Sequence, residues 1–313
     1  KHSECEGKRT NPAAGGMRGR ERSILNVKHN EKDKKPFRQR PEENGGSSWN
    51  GRHIDRRAPE GPGAYLQRAA RWLRPWGEAL AELLYPSRCP LCSRLLKEEE
   101  KTDHVCRACA EHLPWIRGPV CLQCGKPVKD ERVELCPGCE KRVHLYRSGA
   151  SAFAYEGELR DAMVRFKFHN KRENACFFAR AMAREGKRQL QLWKPAVILP
   201  VPMHRRKRRR RGYDQAVLLA KALSREIGIP VRTDLLARTR LTRAQKRLGL
   251  EERRQNLRGA FVVRKTPVPE PVLLVDDIYT SGTTVDCVCE TLREKGVEEI
   301  YVLTACITVG RIR

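Results

Sequence analysis

The segment that decides the fold is Pro271-Val-Leu-Leu-Val-Asp-Asp-Ile-Tyr-Thr-Ser-Gly-Thr-Thr284. Its apolar run has the length of a strand and ends at two adjacent carboxylates, Asp276 and Asp277, before a short polar loop and a helical pattern. Backbone N–H groups at a helix N-terminus bind phosphate, while paired carboxylates can accept hydrogen bonds from vicinal ribose hydroxyls. We therefore expect a phosphorylated sugar to bind here. The candidate phosphate-binding residues are Thr280, Ser281, Gly282, Thr283 and Thr284.

The same segment resembles the signature with which type I phosphoribosyltransferases bind phosphoribosyl pyrophosphate (PRPP). The alternative is an ordinary buried parallel strand with a polar turn, but two tandem acids before T-S-G-T-T are not common in such turns. The resemblance implies PRPP with Mg²⁺ as the ligand, and Asp276 and Asp277 as the catalytic pair. Catalysis itself stays open, because a fold does not determine an activity.

Cysteine spacing predicts a metal-binding module. Of the 13 cysteines, eight form four C-x-x-C pairs, and two such pairs bring four thiolates around one tetrahedral Zn²⁺. Disulfides are disfavoured in a reducing compartment, and a redox motif would need one pair rather than four. We expect His104 and His144 to be surface residues, although one of them could replace a cysteine. The predicted ligands of two structural zinc sites are Cys89, Cys92, Cys106 and Cys109, then Cys121, Cys124, Cys136 and Cys139.

The charge of the chain indicates a polyanionic partner. The net charge is +26 over 313 residues, and residues 200–260 alone carry 18 Lys and Arg against 5 Asp and Glu. Neither a membrane-spanning apolar run nor a signal peptide is evident, so we expect a cytoplasmic protein without a transmembrane segment.

The densest positive charge follows a short apolar strand, in the segment P-V-P-M-H-R-R-K-R-R-R-R-G-Y-D-Q-A. We expect a loop here that contacts either a pyrophosphate group or a nucleic-acid backbone, and the nucleic acid is favoured over a merely solvated charge run. A second basic segment is typical of a mobile lid that closes over a polyphosphate. The candidate contacts in both segments are His204, Arg205, Arg206, Lys207, Arg208, Arg209, Arg210, Arg211, Arg243, Lys246 and Arg247.

Composition and periodicity divide the chain into four parts. We expect a disordered basic extension over 1–60, an amphipathic helical lead-in over 61–88, a double zinc ribbon over 89–145 and an α/β domain over 146–313. In the last part, helices are predicted over 157–168, 175–190, 214–227 and 284–295, between apolar strands. This alternation predicts a mostly parallel sheet, whose ligands bind beyond the carboxyl ends of the strands.

Four blocks in this order resemble the ComF family: R-C-P-L-C, the P-V-P-M-H-R to R-G-Y-D-Q-A segment, R-A-Q-K-R-L, and V-D-D-I-Y-T-S-G-T-T. The resemblance covers roughly residues 65–310. It implies a type I phosphoribosyltransferase fold behind a zinc ribbon, and it makes the first cysteine quartet the more secure zinc site. It also implies the handling of single-stranded DNA during natural transformation, beside a helicase-like partner.

The sequence is therefore consistent with two functions. The first is a DNA-handling protein with a retained PRPP site, and the second is an active Mg²⁺-dependent phosphoribosyltransferase with an unidentified acceptor. Aromatic residues make up only 6% of the chain, so DNA binding should be largely electrostatic.

Overall fold

The computed structural model describes residues 86–241 and 250–309. The predicted extension over 1–60 and almost all of the lead-in helix over 61–88 lie outside the described residues. Within the described part, no helix combines the length and the apolar character that crossing a bilayer requires.

The described elements follow the predicted alternation of strands and helices. The strands are β1 (Ser148–Ala154), β2 (Val197–Pro200), β3 (Leu236–Arg238), β4 (Phe261–Val263), β5 (Val272–Tyr279) and β6 (Ile300–Ile307). The helices are α1 (Glu98–Lys101), α2 (Arg107–Ala110), α3 (Pro137–Glu140), α4 (Gly157–Phe168), α5 (Asn174–Glu185), α6 (Lys187–Trp193), α7 (Arg205–Arg211), α8 (Gln215–Ile227), α9 (Leu250–Leu257) and α10 (Thr283–Arg293).

The centre of the molecule is a parallel sheet with the strand order β1-β6-β5-β2. β5 lies between two neighbours, and its residues 272–275 are fully buried, which explains the unbroken apolar run in the sequence. The sheet has helices on both faces and is preceded by the cysteine-rich module. This arrangement confirms the predicted fold class.

Each face of the sheet has its own hydrophobic core, because alternate residues of a strand point to opposite faces. Leu273 and Val275 pack with α4, α5 and α8, whereas Val272 and Leu274 pack with α10 and the β3–β4 pair. The cysteine quartets divide in the same way. The first quartet joins the core on the α4 side, and the second joins the core on the α10 side.

Three local predictions differ from the structure. The helix predicted over 175–190 is two helices, α5 and α6, which meet at Gly186. The basic run that was predicted as a loop is the helix α7. The antiparallel pair of β3 and β4 was not predicted, because each strand has only three residues and carries no clear alternation.

Candidate functional site

The carboxylate pair lies at the carboxyl end of β5, at the edge where ligands bind to parallel sheets. The N–H group of Asp277 donates a 2.8 Å hydrogen bond to Oδ1 of Asp276. Lys167, from the last turn of α4, forms a 2.7 Å ion pair with Oδ1 of Asp277, and the two side chains are only 17% and 14% exposed. Burial and the adjacent charge of Asp277 raise the pKa of Asp276 above its ordinary value.

The hydroxyl loop, residues 280–284, connects this carboxylate pair to α10. Gly282 has a φ of +75°, and a Cβ at this position would collide with the Tyr279 hydroxyl and lie 2.9 Å from Cε1 of His144. Oγ of Ser281 and Oγ1 of Thr283 are hydrogen-bonded at 3.0 Å. Thr283 is buried, whereas Thr280 is exposed. The loop therefore presents its glycine backbone and hydroxyls immediately after the two acids.

The cations of helix α7 differ in burial according to the side of the helix on which they lie. Lys207 and Arg211 are one turn apart and partly buried, and burial lowers the pKa of both. Arg211 lies within electrostatic range of Asp277, and its guanidinium stacks 4.5 Å from the ring centre of Phe168. Arg211 therefore faces the carboxylate pair, whereas Lys207 lies within electrostatic range of Arg238 and Arg211. The remaining five cations of the helix are exposed: Arg205, Arg206, Arg208, Arg209 and Arg210.

His204 is buried and has a different position from its charged neighbours. Its Nδ1 accepts a 3.2 Å hydrogen bond from the N–H group of Arg206 and so caps α7. Nε2 then carries the proton and donates to the carbonyl of Thr239 at 3.2 Å. The structure thus places His204 as a link between α7 and the chain after β3. The other predicted contacts, Arg243, Lys246 and Arg247, lie outside the described residues.

Two cations near the carboxylate pair were missed by the sequence analysis. Lys167 precedes an aromatic residue at the end of an ordinary amphipathic helix, and no spacing signal marks it. Arg238 lies on β3, where burial lowers its pKa and the charge of Asp276 opposes that change. Both were unpredictable because they reach the site through tertiary packing rather than through a motif.

The two cysteine quartets have the geometry of zinc sites. In each quartet, the four Sγ atoms all lie within 4.8 Å of one another. Sγ of Cys92 is 3.7 Å from Sγ of Cys106, and Sγ of Cys124 is 3.7 Å from Sγ of Cys136. Four sulfurs bound at 2.3 Å around a tetrahedral ion are separated by about 3.8 Å. The eight predicted ligands therefore fit two closed Cys₄ sites of structural Zn²⁺.

The second quartet is connected to the hydroxyl loop by charged side chains that follow it in the sequence. Nη2 of Arg142 forms a 2.6 Å ion pair with Oδ2 of Asp286, in the first turn of α10, and Nη1 donates to Oγ1 of Thr283 at 3.3 Å. Nδ1 of His144 lies 2.9 Å from Oδ1 of the same aspartate. The prediction of a surface His144 is wrong, because this side chain is buried against α10.

A third contact joins the same two parts of the chain, the segment after the second ribbon and the segment from the end of β5 to α10. We call this set of contacts the junction. The hydroxyls of Tyr146 and Tyr279 form a 2.7 Å hydrogen bond, and both side chains are buried. A cavity of about 400 Å³ remains between the second quartet and the loop. Its basic lining residues are Lys126, Lys141, Arg142 and Arg254. The second ribbon therefore forms one wall of this cavity, beside the hydroxyl loop.

Comparison with known proteins gives consistent matches. The family described as the double zinc ribbon domain matches residues 80–144. Competence protein F of Haemophilus influenzae is 35% identical over 204 residues, which cover 63% of this chain and 88% of that protein. The DNA utilization protein YhgH of Salmonella typhimurium is 28% identical over 232 residues, which cover 72% of this chain and all of that protein. Among solved structures, a purine phosphoribosyltransferase from Pyrococcus horikoshii aligns at 18% identity with a TM-score of 0.28, over 42% of this chain and 74% of that one.

Proposed function

Because the chain belongs to the ComF family of competence proteins, we propose that it handles single-stranded DNA during DNA uptake and retains a binding site for PRPP. The observation that carries the proposal is the meeting of three features at one edge of the sheet. These features are the carboxylate pair, the hydroxyl loop and the inward-facing Arg211 of α7. The names of the relatives, which refer to competence and DNA utilization, support the DNA role.

Different groups of PRPP would contact different features of this site. The loop over 280–284 would hold the 5′-phosphate through backbone N–H groups and hydroxyls at the start of α10. Asp276 and Asp277 would accept hydrogen bonds from the ribose hydroxyls, with Lys167 orienting Asp277. Lys207 and Arg211 would balance the charge of the pyrophosphate group.

Mg²⁺ fits the same donor set, because it prefers carboxylate and phosphate oxygens in octahedral geometry. The ion would neutralise the pyrophosphate and make it a better leaving group. The chain's own residues would orient the ribose and surround the phosphates.

The exposed charge of α7 supports DNA as the macromolecular partner. Neutralising phosphates with Lys and Arg releases counterions, so binding should weaken steeply with salt. No base-reading motif is evident in the sequence, so this contact should be largely independent of base identity. A helicase-like partner would deliver or receive the strand, as the family resemblance implies.

The proposal is tested by titrating PRPP with Mg²⁺ into the protein by calorimetry, with and without single-stranded DNA. Asp277→Asn should abolish PRPP binding and leave DNA binding within about twofold. Alanine at the five exposed arginines of α7 should do the reverse. If both changes damaged both activities equally, a protein with two separable sites would be contradicted.

An active phosphoribosyltransferase is the second candidate. The observation that favours it is the position of Arg211 beside Asp277, where the charge of a departing pyrophosphate would develop. Pyrophosphate release from PRPP, measured with nucleobases and with DNA as acceptors, tests this activity. Release that is lost in Asp277→Asn would establish it, whereas binding without release would leave a sensor site.

A further inference from the structure

A cavity of about 460 Å³ opens between the end of β2, α7 and the β3–β4 pair. Its apolar lining residues are Pro200, Pro202, Met203, Val217, Leu236 and Ala237. Five arginines also line it, and we call them the arginine rim: Arg205, Arg208, Arg232, Arg238 and Arg264. Ligand pockets are typically clefts of roughly 300–1,000 Å³, so this cavity has room for a small molecule or one nucleotide unit.

The cavity has a strong excess of positive charge. Among the described residues that line it, Asp214 is the single carboxylate. This group accepts N–H hydrogen bonds from Met203 at 3.2 Å and from Val217 at 3.4 Å, and it lies within electrostatic range of Arg208 without forming an ion pair. Arg232 is paired with Asp234 at 2.8 Å. Among the described residues, no carboxylate lies within ion-pair distance of Arg205, Arg208 or Arg264. The rim therefore has guanidinium groups available for an anion.

Helical spacing separates this cavity from the PRPP site. Arg205 and Arg208 are three residues apart and lie on the cavity side of α7. Arg211, three residues after Arg208, instead lies within electrostatic range of Asp277 and does not line the cavity. One short helix thus presents its cations to two different places. Arg238 lies between them, because it lines the cavity and is also within range of the Asp276 charge.

We propose that this arginine-rimmed cavity binds a nucleotide unit of single-stranded DNA, with phosphates on Arg205, Arg208 and Arg264 and the base against the apolar lining residues. The inference rests on the proposed DNA function and names the place where the strand is held. None of the described residues that line the cavity is aromatic, so stacking is weak and the site accepts any base. The remaining α7 arginines point outward and contribute only general attraction.

The test uses fluorescence anisotropy of an oligothymidylate of about 15 nucleotides, titrated with the full chain at several salt concentrations. Arg205→Ala/Arg208→Ala should weaken binding about tenfold and lower the salt slope by about 1.4, which is 0.7 for each lost phosphate contact. Arg206→Ala/Arg209→Ala removes the same charge from the outward side of the same helix and should weaken binding about threefold at most. The variant Lys187→Ala/Arg188→Ala, on the exposed surface of α6, is the control for net charge.

If the two α7 variants lost DNA affinity equally, the proposal that the cavity binds DNA would be overturned. The charge of α7 would then attract DNA without a defined site. A loss of Mg²⁺–PRPP binding in Arg205→Ala/Arg208→Ala, or displacement of the oligonucleotide by PRPP, would overturn the separation of the two sites. If the unchanged protein failed to bind the oligonucleotide, the proposed function would fall together with this inference. Binding by the unchanged protein and the cavity variant with the same affinity would remove the inference alone.

Discussion

The two cysteine quartets share their spacing and their ligand chemistry, yet they lie on opposite faces of the sheet. The first quartet packs against the helical face that includes α4. There, Nη2 of Arg165 donates 2.7 Å hydrogen bonds to the carbonyls of Pro90 and Leu91. The second quartet packs against α10 and Tyr279, beside the hydroxyl loop. The same metal-binding unit is therefore used once to cover a helical core and once to form a wall of the site.

The buried carboxylate that each ribbon region contacts shows the difference most clearly. Glu100 belongs to the first ribbon and pairs with Arg94 of the same ribbon. It also accepts 2.9 Å hydrogen bonds from the N–H groups of Lys97 and Arg107. Asp286 belongs to α10 instead, and the segment after the second ribbon reaches it through Arg142 and His144. The carboxylate of the first ribbon is therefore satisfied within that ribbon, whereas the segment after the second ribbon pairs with a carboxylate of α10.

The largest effect should come from breaking one quartet at a time. Structural zinc contributes about 10–16 kcal/mol in zinc-finger peptides, so Cys124→Ser/Cys139→Ser should unfold the second ribbon and halve the zinc content. Amide exchange over residues 280–284 should then accelerate at least about tenfold, because the loop loses its wall. Cys89→Ser/Cys106→Ser should also halve the zinc content but leave exchange in this loop unchanged. Loop protection that falls equally in both variants would contradict the comparison.

A smaller loss of stability is expected when a single ion pair of the junction is broken. Asp286→Asn leaves Arg142 without its buried carboxylate partner, and breaking such a pair costs about 3–5 kcal/mol. Urea denaturation should show this loss. Asp130→Asn, which removes an exposed pair with Arg132 in the same ribbon, should change the unfolding free energy by less than about 0.5 kcal/mol. A loss in Asp286→Asn no larger than that of the control would mean that the junction does not stabilise the ribbon.

The carboxylate pair at the end of β5 should give the stability of the protein an unusual dependence on pH. The folded pKa of Asp276 is raised above its unfolded value, so stability falls as pH rises through the interval between the two values. Asp276→Asn removes this penalty and should raise the melting temperature, by an amount that grows with pH between about pH 4 and pH 8.

Asp277→Asn should have the opposite effect, since it leaves the mostly buried Lys167 without its partner. Thermal unfolding of both variants across this pH range tests the assignment. A stabilisation by Asp276→Asn that does not change with pH would show that the buried carboxyl is not the cause.

The smallest effect is expected for the tyrosine pair. Tyr146→Phe removes the hydrogen bond to the Tyr279 hydroxyl without changing the packed volume, and this should cost about 1 kcal/mol of unfolding free energy. Tyr155→Phe, on a partly exposed side chain of the other core, is the matched control. If Tyr146→Phe were as stable as the unchanged protein, the hydroxyl pair would not contribute to the junction.

Much of this fold was predictable because its signals are local. The β5 segment combines an apolar run, two acids and a turn with glycine, and the cysteine pairs have the spacing that zinc requires. The helix α7 also had signals that the loop prediction overlooked, since Arg and Lys are good helix formers and Gly212 follows the run.

The remaining features of the fold and of the candidate site depend on tertiary packing. Nothing in the sequence around Lys167 places it against Asp277, and nothing around His144 places it against Asp286, 142 residues further along the chain. The distribution of the quartets over two faces follows from the path of the chain around the sheet, which periodicity does not encode.

The most direct test of the account replaces the arginine that pairs with each buried carboxylate, Arg142 with Asp286 and Arg94 with Glu100. Arg142→Lys and Arg94→Lys both keep the charge, so neither alters the general attraction of an anionic ligand, but each loses the guanidinium geometry. Calorimetric titration of PRPP with Mg²⁺ should give an affinity about tenfold weaker for Arg142→Lys, a loss of about 1.4 kcal/mol. Arg94→Lys should bind as the unchanged protein does. Equal affinities in the two variants would contradict the claim that the second ribbon, and not the first, supports the phosphate site.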